Sequence, residues 1–184
     1  MSDRQLWAVL LWPTIALAQD CPSAVNLVNN CGFNTSVAGF TPQDPGDAIA
    51  YVSNVGASAL GAMRVSDTAA DGNNEAEAET CINTGSGVYQ LGASFKAITA
   101  STCFVGFDEH VQPNCAAPNG NFVAGTPAAV NDQTFTRITS VATVGTSVAS
   151  VEMVVICAAG GTPAQFDVDD VAMVAQALFA NGFE

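Results

Sequence analysis

Basic residues are scarce in this chain: four Lys and Arg stand against 17 Asp and Glu, for a formal net charge of −13. Such a balance argues against nucleic acid or an anionic membrane surface as a partner. Histidine is scarcer still, with only His110 available for a Ser-His-Asp arrangement, and no Gly-x-Ser-x-Gly elbow occurs. Without a Cys-x-x-Cys pair, a lone histidine also makes a zinc site improbable. No Gly-rich phosphate loop and no EF-hand spacing is present. Past the N-terminus no apolar run reaches the length of a membrane span, so no transmembrane anchor is expected. The two tryptophans, Trp7 and Trp12, both lie within the first 18 residues.

Those first residues, 1–18, read as a secretory signal peptide. Arg4 supplies the charge, Leu6 to Ile15 the apolar stretch, and Ala16-Leu17-Ala18 the small-x-small cleavage site. Cleavage after Ala18 leaves an exported chain without tryptophan. Export agrees with the six cysteines, Cys21, Cys31, Cys81, Cys103, Cys115 and Cys157, which all follow that site. An even number in an exported chain implies up to three disulfides, for which fifteen connectivities are open. Cys103 opens one expected strand and Cys157 closes another, so their sulfurs meet if those strands are antiparallel neighbours.

The rest of the chain reads as short strands between turns. Strands are expected over 59–65, 75–82, 88–97, 103–111, 135–144, 147–158 and 165–174, with a shorter one near 49–52. Residues 34–58 and 113–127 read as loops. No convincing amphipathic helix interrupts the series. About eight strands with regular turn signals predict an all-β fold, an antiparallel two-sheet sandwich or jelly roll, over residues 19–174.

The last of these strands, Phe166-Asp167-Val168-Asp169-Asp170-Val171, carries a difficulty. Neighbours on a strand point to opposite faces, so one of Asp169 and Asp170 should face inward. A buried carboxylate is costly unless it is paired, hydrogen-bonded or bound to a cation. With so few basic residues, backbone N–H groups or a hard cation such as Ca²⁺ are the expected partners.

Asn26-Leu27-Val28-x-Asn30-x-x-Phe33 near the start and Phe166-x-x-Asp169-Asp170-Val171 near the end resemble the first and last strands of jelly-roll carbohydrate-binding modules attached to xylanases and cellulases. The resemblance covers roughly residues 24–174. It implies a structural Ca²⁺ between those strands, held here by Asn34 and Asp169, with Asp170, held by backbone donors, as the alternative ligand. Asn34 stands where the family has an acidic residue, which lowers the expected affinity. The resemblance also implies a disulfide between Cys81 and Cys115, which leaves Cys21 and Cys31 to clip the N-terminal strand. Sugar binding in such modules uses aromatic platforms. Tyr89 matches a core tyrosine of the family, and Tyr51, Phe40, Phe107 and Phe122 are the candidate platforms, with no ligand-binding residue fixed among them.

Two further polar runs stand out. Asp108-Glu109-His110 reads as a metal-holding run or as the solvated end of a strand, and the second is expected. Glu75, Glu77 and Glu79 share one strand face, either for a cation or as a solvated outer face. The tail 175–184 ends in Phe179-Ala180-Asn181-Gly182-Phe183-Glu184, similar to short endings of some exported bacterial proteins, and is expected to be a sorting tag or a cover over a sheet edge. The expected function is a secreted or cell-surface, non-catalytic module that binds polysaccharide or a cell-surface glycan. A structural or adhesive protein with the same fold is the alternative, and a small hydrolase the least favoured.

Overall fold

A computed structural model describes residues 25–58, 60–68 and 74–176. The expected signal peptide, Cys21 and the tail beyond Gln176 lie outside the described residues. Eleven strands follow one another: Thr41–Pro42 (β1), Asp47–Ser53 (β2), Gly61–Asp67 (β3), Glu75–Asn83 (β4), Gly87–Ala97 (β5), Thr102–His110 (β6), Pro118–Ala124 (β7), Ala128–Ala129 (β8), Thr136–Val144 (β9), Ser150–Ala158 (β10) and Gln165–Ala175 (β11). They form two antiparallel sheets. One has the order β1-β4-β10-β6-β7, with β8 also on β6; the other has the order β2-β3-β11-β5-β9. The fold is therefore the expected all-β sandwich. Among the described residues no helix is long and apolar enough to cross a membrane.

Alternation decides which side of each strand is buried. On β4, Ala76, Ala78 and Ile82 face the core while Glu75, Glu77 and Glu79 face away. Phe95 of β5 and Phe166 of β11 are both fully buried and pack with ring centroids 5.8 Å apart. Phe107, Met153 and Met173 complete the space between the sheets. Each such side chain contributes about 1.5–3 kcal/mol by leaving water.

Cys103 and Cys157 sit opposite each other on β6 and β10, with Cα atoms 4.1 Å apart, and are bonded. Cys81 is joined to Cys115, with Cα atoms 5.8 Å apart. Both pairs are those expected. The pairing of Cys31 with Cys21 falls on a residue outside the described ones.

Three expectations need correction. Asn26 to Phe33 is not a strand: it makes a single bridge, Asn26 to Val174. Asn30 (φ 55°) and Phe33 (φ 42°) take left-handed backbone, which breaks a ladder. The segment still completes β11, because β3 pairs only with Gln165–Val168. Beyond that point, the Asn26 side chain accepts the Met173 N–H at 3.0 Å and donates to the Val171 carbonyl at 3.1 Å. The second correction is β7, which lies inside the region read as a loop. Nearly all of its residues are exposed, so no alternation of apolar and polar residues announces it. The third concerns Asp169 and Asp170. A bulge falls between Asp169 and Ala172, with Asp170 at φ 52°. The extra residue lets Val168 and Val171 both enter the core, and neither carboxylate does.

Candidate functional site

Two surfaces offer chemistry, and both are outer faces of the sheets. On the six-stranded sheet, the outward residues of β4, β10, β6 and β7 line up in cross-strand rows. Glu79, Val154 and Gly106 form one; Cys81, Glu152, Asp108 and Phe122 form the next. Phe122 is 41% exposed. Its ring crosses β6 above Gly106, where a Cβ would stand 2.8 Å from the ring. The glycine is what lets the ring lie there. Phe104, two residues along β6, meets Phe122 edge to face at 6.4 Å between centroids.

The carboxylates on this face press on one another. Glu79 is pushed up to about 7, by burial first and then by Glu152, while a hydrogen bond from Thr41 at 3.4 Å opposes the rise. Glu77 is also raised to about 7, by burial first and then by Asp44 and Glu75. Asp47, on the neighbouring sheet, rises to about 6 through burial, although the Glu77 N–H donates to it at 3.0 Å. Asp108 is raised by burial, against the pull of His110. The Glu75–Glu77–Glu79 ladder thus lies on an outer face, as read from the sequence, but it is half-buried rather than freely solvated.

Asp108-Glu109-His110 is not a solvated strand end. Glu109 is 4% exposed and His110 3% exposed. Alternation splits the run, with Asp108 and His110 on the outer face and Glu109 turned the other way. Glu109 accepts from Asn119 and Asn121 of β7 and from the Gly145 N–H. Burial raises its pKa, but these three bonds outweigh burial and hold it below the ordinary value. It is a structural clip between β7 and the turn before β10. His110 Nε2 lies 3.4 Å from Glu152 Oε2, and neither ring nitrogen makes a hydrogen bond among the described residues.

Of the other candidate platforms two are buried, and Tyr51, 37% exposed, is tied to a neighbouring loop. Phe40 and Phe107 are core residues. The Tyr51 hydroxyl donates to the Asn34 carbonyl at 3.0 Å, and its ring covers Gly61. The Tyr89 hydroxyl bonds Thr84 and Gly85, in keeping with a core role. Phe122 alone of the four stands outward on a sheet face. Nothing in the sequence marks Phe104, because an aromatic at either parity of β6 looks the same before the register is known.

Around the β11 bulge, Asp169 is fully buried and its carboxylate accepts N–H groups from Ala57 at 2.7 Å, Ser58 at 3.3 Å and Asp170 at 2.8 Å. Burial raises its pKa, as does Asp170, and the amides oppose the rise. Asp170 takes a hydrogen bond from the Ser58 hydroxyl, and Arg137 donates to its carbonyl. Asn34 is exposed. These residues do not fit a Ca²⁺ site as they stand. Calcium takes six to eight oxygen ligands, whereas N–H donors converge on Asp169 and Asn34 brings no charge. Among the described residues, no three His, Cys, Asp or Glu side chains group to hold a metal ion.

Charge is divided between the faces. Every described Lys and Arg, namely Arg64, Lys96 and Arg137, lies on the outer face of the five-stranded sheet. There Arg64 pairs with Asp167 through Nε at 2.8 Å. Among the described residues, the outer face of the six-stranded sheet carries carboxylates and no Lys or Arg.

The raised carboxylates predict how stability follows pH. A carboxyl group whose folded pKa lies above its unfolded one favours folding below the unfolded value, and that contribution is lost as pH rises through the folded value. Glu77, Glu79 and Asp47 therefore make the protein less stable as pH rises from about 4 to about 7. Glu79→Gln should raise the melting temperature at pH 7.5 by about 2–4 °C, for about 1 kcal/mol after discounting for solvent screening. At pH 4 it should change little. Melting curves across this range that rise toward neutral pH would contradict the assignment.

No family model matches this chain, and no curated protein does. Similar folds occur among solved structures. The xylan-binding domain CBM22-2 of Paenibacillus barcinonensis Xyn10C superposes with a TM-score of 0.62 at 10% identity, over 79% of this chain and 98% of that one. The CBM22-1–GH10 modules of Clostridium thermocellum endo-1,4-β-D-xylanase 10B, complexed with xylohexaose, give 0.66 at 15% identity; 85% of this chain corresponds to 29% of that one. A family 16 carbohydrate-binding module gives 0.57 at 19% identity, over 81% and 99%. At such identities the likeness is one of fold.

Proposed function

We propose that this chain is an exported, non-catalytic module that binds a polysaccharide on the outer face of its six-stranded sheet. The observation that carries the proposal is Phe122, an exposed ring held over Gly106 against Phe104 and in one cross-strand row with the Asp108 and Glu152 carboxyl groups. A ring face packs against sugar C–H groups, and carboxyl groups exchange hydrogen bonds with hydroxyls. Support comes from the similar structures, whose names include xylan-binding domains and a module with β-1,4-galactotriose. Val154 and Ile156 occupy the middle of the face, where a second aromatic would add contact area, so weak binding is expected. The disulfides and the signal-peptide reading agree with secretion.

Calorimetric titration with soluble xylan, galactan and xylohexaose tests this. Binding should fall about tenfold in Phe122→Ala, a loss of about 1.4 kcal/mol, with the melting temperature nearly unchanged. No binding across a broad glycan panel would favour the alternative, a structural or adhesive surface protein. For the hydrolase alternative, Glu79, raised to about 7 by burial and Glu152, is the carboxyl group to test. Release of reducing ends by the wild type, lost in Glu79→Gln, would establish it instead.

A further inference from the structure

We infer that the opposite face of the sandwich carries a second binding site, a pocket for a single neutral sugar residue. The pocket, about 400 Å³, opens on the outer face of the five-stranded sheet beside the β11 bulge. That is at the small end of ligand pockets. The site lies across the sandwich from Phe122 and does not depend on the polysaccharide reading.

Its shape follows from the register. Thr139, Gly92 and Ala172 form one cross-strand row of outward positions on β9, β5 and β11. The middle of that row has no side chain and its neighbour only a methyl group, so the sheet is hollow there. Arg137 reaches into the hollow. A Cβ on Gly92 would stand 2.7 Å from its Nη2, so the glycine makes room for the guanidinium over the strand. The bulge, with Asp170 in left-handed backbone, brings a carboxylate to the rim. Gln90, exposed in the next row, adds an amide.

This lining selects for chemistry. A guanidinium carries five N–H donors, of which one goes to the Asp170 carbonyl. Asp170 accepts and Gln90 does both, a set that suits hydroxyl groups, which also do both. The Ala172 methyl group offers an apolar patch for sugar C–H groups. Charge decides the rest. Asp169 and Asp170 oppose an anionic ligand such as a uronate, and Arg137 opposes a protonated amino sugar. A neutral sugar avoids both costs.

The test is an NMR titration of the exported chain, labelled with ¹⁵N, with xylose, galactose, glucuronate and glucosamine, and with xylohexaose to separate a free sugar from a chain end. A neutral sugar should give saturable shifts at the Gly92, Gln90 and Ala172 amides and at Arg137 Nε–H. Thr139→Phe fills the hollow from an exposed edge position and should abolish these shifts. Arg137→Lys keeps the charge but loses the planar fork, and should weaken binding about tenfold. Phe122→Ala should leave them unchanged. The proposal is overturned if no neutral sugar gives saturable shifts, if they persist in Thr139→Phe, or if only glucuronate or only glucosamine binds.

Discussion

Replacing Cys103 and Cys157 together by alanine should lower stability by about 4–5 kcal/mol, enough to remove a large share of the folded state's margin. The chain between them spans 54 residues, and closing a loop of that length restricts the unfolded chain by about 4 kcal/mol. Both sulfurs are fully buried, so alanine also leaves small voids in the core. Removing Cys81–Cys115, with its 34-residue separation, should cost about 3–4 kcal/mol, because Cys81 is exposed and leaves no core void. Urea unfolding of the two double variants measures both costs. Equal midpoints for wild type and the Cys103/Cys157 variant would mean that the core pair does not form.

Asp169→Ala should cost about 3 kcal/mol. It strands the N–H groups of Ala57, Ser58 and Asp170, and each unsatisfied buried donor costs about 1–3 kcal/mol where water cannot reach it. Asp169→Asn keeps one acceptor oxygen and should lose less. Because amides already occupy this carboxylate, the wild type should melt at the same temperature in EDTA and in millimolar calcium. A calcium-dependent rise that disappears in Asp169→Ala would return the ion to Asn34 and Asp169.

Strand content was largely legible because the buried strands alternate. Glu75 to Ile82 places alanines on one side and glutamates on the other, and β4 forms there. The two described disulfides followed from strand ends and from the resemblance. What the sequence hid was conformational. Nothing in Asn26–Phe33 distinguishes a strand from a turn whose asparagine side chain stands in for the ladder. The Asp169-Asp170 pair does hold a buried carboxylate in need of partners, as its sequence implies, and backbone amides supply them. The inward direction was wrong because a bulge, set by one left-handed residue, is invisible to a period-two count. The candidate site was the least legible part. Phe122 was among four aromatics, and only the register of β6 with β7, which places it over Gly106, sets it apart from the buried Phe107.

The division of charge between the two faces acts at distances longer than any contact. The outer face of the six-stranded sheet bears Glu75, Glu77, Glu79, Glu152 and Asp108, whereas on the other the three cations offset Asp167, Asp169 and Asp170. Among the described residues the six-stranded sheet therefore presents the more negative of the two outer faces. A polyanionic surface should be met by the five-stranded sheet, and a cationic one by the carboxylate face. At physiological salt this steering fades over about 8 Å, so the orientation is chosen in the last nanometre of approach. Added salt should change the encounter rate more than the strength of the hold.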